Sequence, residues 1–263
     1  MLRECRVYFA TLRMHLKAGL EYKGWWLMVF QVLLVVITDP IATIFLFSRF
    51  GAIGPWTLER ILLIYAMAVT AFGIAESLCR GFDYFPWKMV RSGDFDRLLL
   101  RPCSLFTQAA ISFFHIHRLS RVAAGLFMIF WALHRQGISL GPAGWVLLLS
   151  ALAGGTLMYT GVFVMSSGIA FFTVRALDWI FIFTNASYQV TRCPVEYMPK
   201  ALYNVFTFFL PLMLVSYYPA SVLCHWGEIS FLGWLALPAG GLFLGFSMLV
   251  WRFGVRHYKS TGS

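Results

Sequence analysis

The stretch WVLLLSALAGGTLMYTGVFVMSSGIAFFT, residues 145–173, carries no charged side chain in 29 positions. Lipid cannot hydrogen-bond a bare backbone, so such a run crosses a bilayer as a helix or as part of a closed barrel. Its apolar character is continuous and does not alternate with period 2, which predicts a helix. About 20 helical residues cross about 30 Å of hydrocarbon, so this run is long enough to tilt or kink. Working outward, the same reading gives six spans: Trp25–Phe47 with one charge, Asp39; Ile61–Leu78 with one charge, Glu76; about Leu119–Ile138, crowded at its ends by Arg121, His134 and Arg135; Trp145–Thr173; Ala201–Tyr218, interrupted by Pro211; and Ile229–Trp251. The expected fold is all-α, a single polytopic membrane domain over residues 1–263.

Composition agrees. Hydrophobic residues make up 60% of the 263 and charged residues only 12%, where about 25% is ordinary. Mean hydropathy is +0.74. One soluble core of this size could not bury so much apolar surface, which excludes a soluble enzyme, a disordered chain and a disulfide scaffold. The net charge of +10 is explained by position. Eighteen of the 21 Lys and Arg fall before span 1, between spans 2 and 3 or at the entry to span 3 (Arg121), between spans 4 and 5, or after span 6, all on one side of a six-span topology. Arg49, Arg60 and Arg135 fall on the other. The positive-inside rule then places both termini in the cytoplasm. No cleavable signal peptide is expected, because charges run through the first 24 residues. Only Cys224 of the five cysteines falls outside, so no disulfide is expected.

Two cytoplasmic pieces stand out. Residues 1–24 contain an amphipathic helix, with Cys5, Tyr8, Phe9, Leu12, Leu16 and Leu20 on one face and Arg3, Arg6, Arg13 and Lys17 beside it. It reads as an anchor along the inner leaflet, or as a docking element for a specific partner, since the pattern itself shows amphipathicity alone. Residues 80–118 form the second piece. Between Arg80 and Pro102 five basic and three acidic residues alternate with aromatics, a pattern that suits either a protein socket or a solvated hairpin. Ser92 and Asp94 can start a helix through Asp96–Leu100 that Pro102 ends.

The run VRSGDFDRLLLRP, residues 90–102, resembles the Gly-x-hydrophobic-Asp…Leu-Leu-Arg-Pro segment of six-span type-2 ABC exporter permeases. LPLMLVSYYPA, residues 210–220, is similar to that family's Pro…Tyr-Tyr-Pro signature after the fifth span. The resemblance extends over essentially the whole chain. It implies a multi-pass permease of the bacterial cytoplasmic membrane, working with two copies of a separate ABC ATPase and a second permease, identical or related. By the same resemblance residues 81–102 contain the coupling helix, with Phe82, Asp83, Arg91, Gly93, Asp94, Asp96, Arg97 and Arg101 as ATPase-coupling residues. ATP and Mg would bind the partner, and this chain no cofactor. The chain has no G-x-x-x-x-G-K-[ST] loop with which to cradle ATP itself, so it is expected to be the non-catalytic subunit. A solute carrier driven by an ion gradient, or a membrane scaffold, is the alternative class; a proton-coupled carrier would place several acids at mid-membrane.

Four residues are candidates for a translocation path: Asp39, Glu76, Asn185 and Tyr188. Asp39, at mid-span, must face protein or water. It is either a path residue or the buried partner of the carbonyl that Pro40 frees. Glu76 and Arg80, four apart, read as a helical ion pair. Segment 178–199, aromatic and polar in turn, is expected at the inner interface or at the mouth of the path. Gly154 and Gly155 are expected at helix contacts, and the pair Gly241 and Gly245 at a helix contact inside the subunit or at a dimer seam. His115 and His117 are not expected to share a metal, since i and i+2 diverge on a helix. No catalytic constellation is present.

Overall fold

The computed structural model describes residues 2–21, 23–52, 56–90, 95–172, 184–185, 187–192, 198–226 and 230–258. These form helices and turns: α1 (Leu2–Glu21), α2 (Trp25–Phe50), α3 (Leu58–Cys79), α4 (Gly81–Phe85), α5 (Phe95–Leu99), α6 (Leu105–Ile111), α7 (Leu119–Arg135), α8 (Pro142–Ala170), α9 (Lys200–Asn204), α10 (Tyr217–Leu223), α11 (Ser230–Trp234) and α12 (Ala236–Arg256). Helices α2, α3, α8 and α12, and α7 together with the turn that begins at Ile116, are long and apolar enough to cross a membrane. The expected fifth span is not one straight helix. Lys200–Phe208 and Leu212–Leu223 meet at 71°, because Pro211 lacks an N–H and pushes Leu210 out of helical geometry (φ −114°, ψ 83°). The last span starts later than expected, at Ala236, with Pro238 in its first turn where a missing N–H costs little.

Helix α3 is the centre of the bundle, with 83% of its apolar window buried; α2 stands at the rim, with 11%. Small residues at sevenfold spacing set how α8 and α12 meet. Gly154 lies against Gly240, Gly161 against Ser247, and Gly168 against Gly254. A Cβ on Gly168 would lie 2.9 Å from the backbone nitrogen of Trp251, so only glycine allows this approach. The constant register means that α8 and α12 run parallel. The chain between them therefore begins at one end of the bundle and finishes at the other. The expected role of Gly154 and Gly155 is met. Gly241 and Gly245 do not make the contact within the subunit: a Cβ on either meets nothing of the described chain within 4 Å, since they face away from Gly240 and Gly254 on α12.

At one end of the bundle α1 and α4–α6 close over the helix ends. The segment around α4 and α5 does not project as a hairpin with exposed aromatics. Phe82, Phe85 and Phe95 are fully buried. Phe82 and Phe85 lie edge-on to Trp251 at 5.1 and 4.9 Å, and Phe95 packs on Phe85, Phe171 and Tyr258. The Ser167 hydroxyl donates to the carbonyl of Phe82. Helix α1 packs on α6 and on the turn at Ile116, with Gly19 against its side chain. Of the predicted stripe, Tyr8, Leu12 and Leu16 turn inward, while Phe9 and Leu20 stay exposed. The Tyr8 hydroxyl donates to the carbonyl of Leu78 at 3.0 Å. Burial pushes that hydroxyl up to about 12, with the Cys79 thiol adding to the shift, so it remains a neutral donor.

Candidate functional site

Helical spacing builds one cavity from four directions. Val35, Thr38 and Asp39 share a face of α2; Phe72, Glu76 and Arg80 follow one another at intervals of four along and just past α3; Arg121 opens α7. Asn185, Tyr188, Gln189 and Arg192, in the described pieces 184–185 and 187–192, line the cavity at helical spacing. Together they line about 410 Å³. All four path candidates, Asp39, Glu76, Asn185 and Tyr188, border this space. The segment around Tyr188 lies inside the bundle and not at the interface: Tyr188 stacks on Phe72 at 4.4 Å, Tyr159 and Thr191 hydroxyls meet at 2.5 Å, and Ser216 donates to the carbonyl of Thr191 at 2.5 Å. Its neighbours from Asp178 to Phe183 lie outside the described residues.

Glu76 does far more than pair with Arg80. Its Oε1 accepts from Arg118 Nη1 at 2.5 Å and lies 3.4 Å from Arg80 Nη1; its Oε2 accepts from Arg121 Nη1 at 2.7 Å. Arg80 also bridges to Asp83 at 3.1 Å. All five side chains are largely buried. Asp39, half exposed, pairs instead with Arg192. It is not the partner of the carbonyl that Pro40 frees. That carbonyl, on Val36, accepts from the Tyr65 hydroxyl at 2.7 Å. The ion pairs are stitched together by rings. Arg121 lies 5.3 Å from the Phe72 ring and 5.9 Å from that of Tyr188, and Arg192 lies 4.4 Å from Tyr188 and 5.3 Å from Tyr65. Among the described residues of this network, the guanidiniums of Arg80, Arg118, Arg121 and Arg192 face the carboxylates of Glu76, Asp83 and Asp39, which leaves one positive charge over.

Sequence reasoning missed Arg118, Arg121 and Arg192, which it counted as cytoplasmic surface charge. A usable signal was present: Arg192 follows Tyr188 by four residues, and Arg118 precedes Arg121 by three, so each pair shares a helix face.

The predicted coupling residues divide. Phe82 and Asp83 are buried in the chain's own core, so they offer no surface to a partner. Asp96, Arg97 and Arg101 reach the surface of α5 and the turn after it, beside Leu99 and Leu100, of which Leu100 is 86% exposed. Phe95 and Leu98 anchor the same helix inward. Arg91, Gly93 and Asp94 lie outside the described residues. The histidine argument also changes. His115 is extended (φ −134°, ψ 122°), so its ring meets that of His117 at 5.3 Å and does not diverge from it. Even so, among the described residues no three His, Cys, Asp or Glu side chains converge as a metal would require.

Residues 33–262 match the family described as ABC-2 family transporter protein. The chain belongs to that family. It is therefore the non-catalytic, multi-pass permease component of an ABC transporter, and the family implies an ABC ATPase as its partner. No curated protein and no solved structure matches the permease.

Proposed function

We propose that this permease is the membrane half of an ABC exporter. Two permease chains, identical or related, would enclose the path in the bacterial cytoplasmic membrane with their termini inside. Two copies of the ATPase, holding ATP and Mg, would dock on α5. The observation that carries this reading is a chain of contacts from cavity to coupling segment. Glu76 lines the cavity; Arg80 joins it to Asp83 of α4; Phe85 of α4 packs on Phe95 of α5 at 5.5 Å. A closing ATPase that displaces α5 would reach the cavity through these groups, and the two states must differ in their contacts for that to shift the population. The 18-to-3 distribution of basic residues supports the cytoplasmic placement of this end. Both acids of the cavity are paired with arginines, which argues against a carrier that cycles protons on free carboxylates.

The test is co-purification of the tagged permease in mild detergent. An ATPase at one-to-one stoichiometry, with hydrolysis that Arg80→Gln uncouples from transport without detaching the ATPase, supports the reading. Absence of an ATPase together with proton-driven flux overturns it.

A further inference from the structure

We propose that the cavity takes the anionic head of an amphiphile, a phosphate or carboxylate carrying an apolar tail, and that Arg121 and Arg192 are its head-group ligands. This rests on reading the cavity as part of a permease path. The first ground is charge. Among the described residues Glu76 is shared by three guanidiniums, of which one, Arg80, has a second carboxylate, so the wall at Arg121 carries a positive charge in a place where unpaired charge is costly. The second is unused donor capacity. The Nε groups of Arg121 and Arg192 are buried and make no hydrogen bond among the described residues, and a guanidinium offers Nε with an adjacent Nη as the fork that grips a phosphate or carboxylate. Both guanidiniums lie against the one ring of Tyr188, and both line the cavity.

The third ground is exchange. Arg192 is held by Asp39, whose side chain is half exposed. An incoming anion can take the place of that carboxylate, and Asp39 becomes its competitor. The mouth of the cavity supplies the rest of the class. Val35 and Thr38 border it from the exposed side of α2, so a tail attached to the bound head extends past an apolar helix face.

The experiment uses the permease alone in phosphatidylcholine nanodiscs, with dansyl-labelled dodecyl phosphate detected by energy transfer from tryptophan and empty discs as the blank. Removing one charge-assisted contact with Arg192→Gln should weaken binding about tenfold. Asp39→Asn should tighten it about three- to tenfold by removing the competitor. A labelled dodecylphosphocholine should bind more weakly and respond to neither variant, and inorganic phosphate should fail to displace the probe. Equal binding of the phosphocholine, displacement by inorganic phosphate, or weaker binding by Asp39→Asn each overturns the proposal. If thermal melting shows Arg192→Gln to be unfolded, the Asp39→Asn arm decides. Because no ATPase is present, failure here leaves co-purification standing, and a missing ATPase leaves the binding result standing.

Discussion

The hydroxyl of Tyr65 donates, at 2.7 Å, to the carbonyl of Val36, whose helical donor Pro40 removes. One helix thus repairs a defect in its neighbour, and does so where water is scarce. Tyr65→Phe should destabilise the permease by about 1–3 kcal/mol, the cost of a buried carbonyl left unpaired. Pro40→Ala restores the amide of residue 40. The double variant should then recover most of that loss in thermal melting in detergent; purely additive effects would show that the two residues are not linked.

Glu76 is the hub of its network. Glu76→Gln leaves Arg80, Arg118 and Arg121 with Asp83 alone between them among the described residues. Breaking a buried pair in this way costs about 3–5 kcal/mol, so the variant should give little folded protein by size-exclusion chromatography. Asp39→Asn, at a half-exposed site, should fold at near wild-type yield. Equal yields for the two would contradict the hub assignment.

On α5, burial separates the anchoring residues from those of the proposed docking surface. Leu100→Asp or Arg97→Glu should cut ATPase recovery in a pull-down at least tenfold, about 1.4 kcal/mol or more, with the melting temperature unchanged. Phe95→Ala should instead lower stability by about 3–5 kcal/mol. An ATPase that binds Leu100→Asp normally would move the docking surface elsewhere.

The α8–α12 contact makes an internal contrast available. Gly240→Ala places a methyl group on the backbone of Gly154 and should cost about 1–3 kcal/mol from overpacking. Gly241→Ala, one position on, meets nothing of the described chain and should be neutral or slightly stabilising through helix propensity. Matching melting curves for the two variants would refute the parallel register.

Hydropathy made the spans legible because apolar length is a one-dimensional property. Asp39 and Glu76 were legible for the same reason, each a lone charge in an apolar run. Their partners were not. Arg192 sits between apolar runs in sequence, and only its segment's return into the bundle brings it to Asp39. Arg118 and Arg121 looked like membrane-edge charges until α7 packed against α3. Phe82, Phe85 and Phe95, interleaved with charge, resembled a surface; in space they fill the gap between the ends of α8 and α12. Pro211 marked a break, but its angle depends on where the chain must go next. Gly240 and Gly254 were passed over for Gly241 and Gly245 because the four-residue spacing is familiar and the sevenfold one needs a partner helix to reveal it.

The distance along the chain between paired charges has a consequence during synthesis. Glu76 meets Arg118 and Arg121 only 42 and 45 residues later, but Asp39 waits 153 residues for Arg192. At about 5–20 residues per second this is a delay of roughly 8–30 s. Through that interval α2 carries an acid without its cation, and the nascent helix must stay beside water, an insertion partner or a proton. Arrival of residue 192 is thus a checkpoint in biogenesis: until then the rim helix has no ionic claim on the bundle, and a ribosome stalled before it leaves a chain with its spans begun and its cavity unmade.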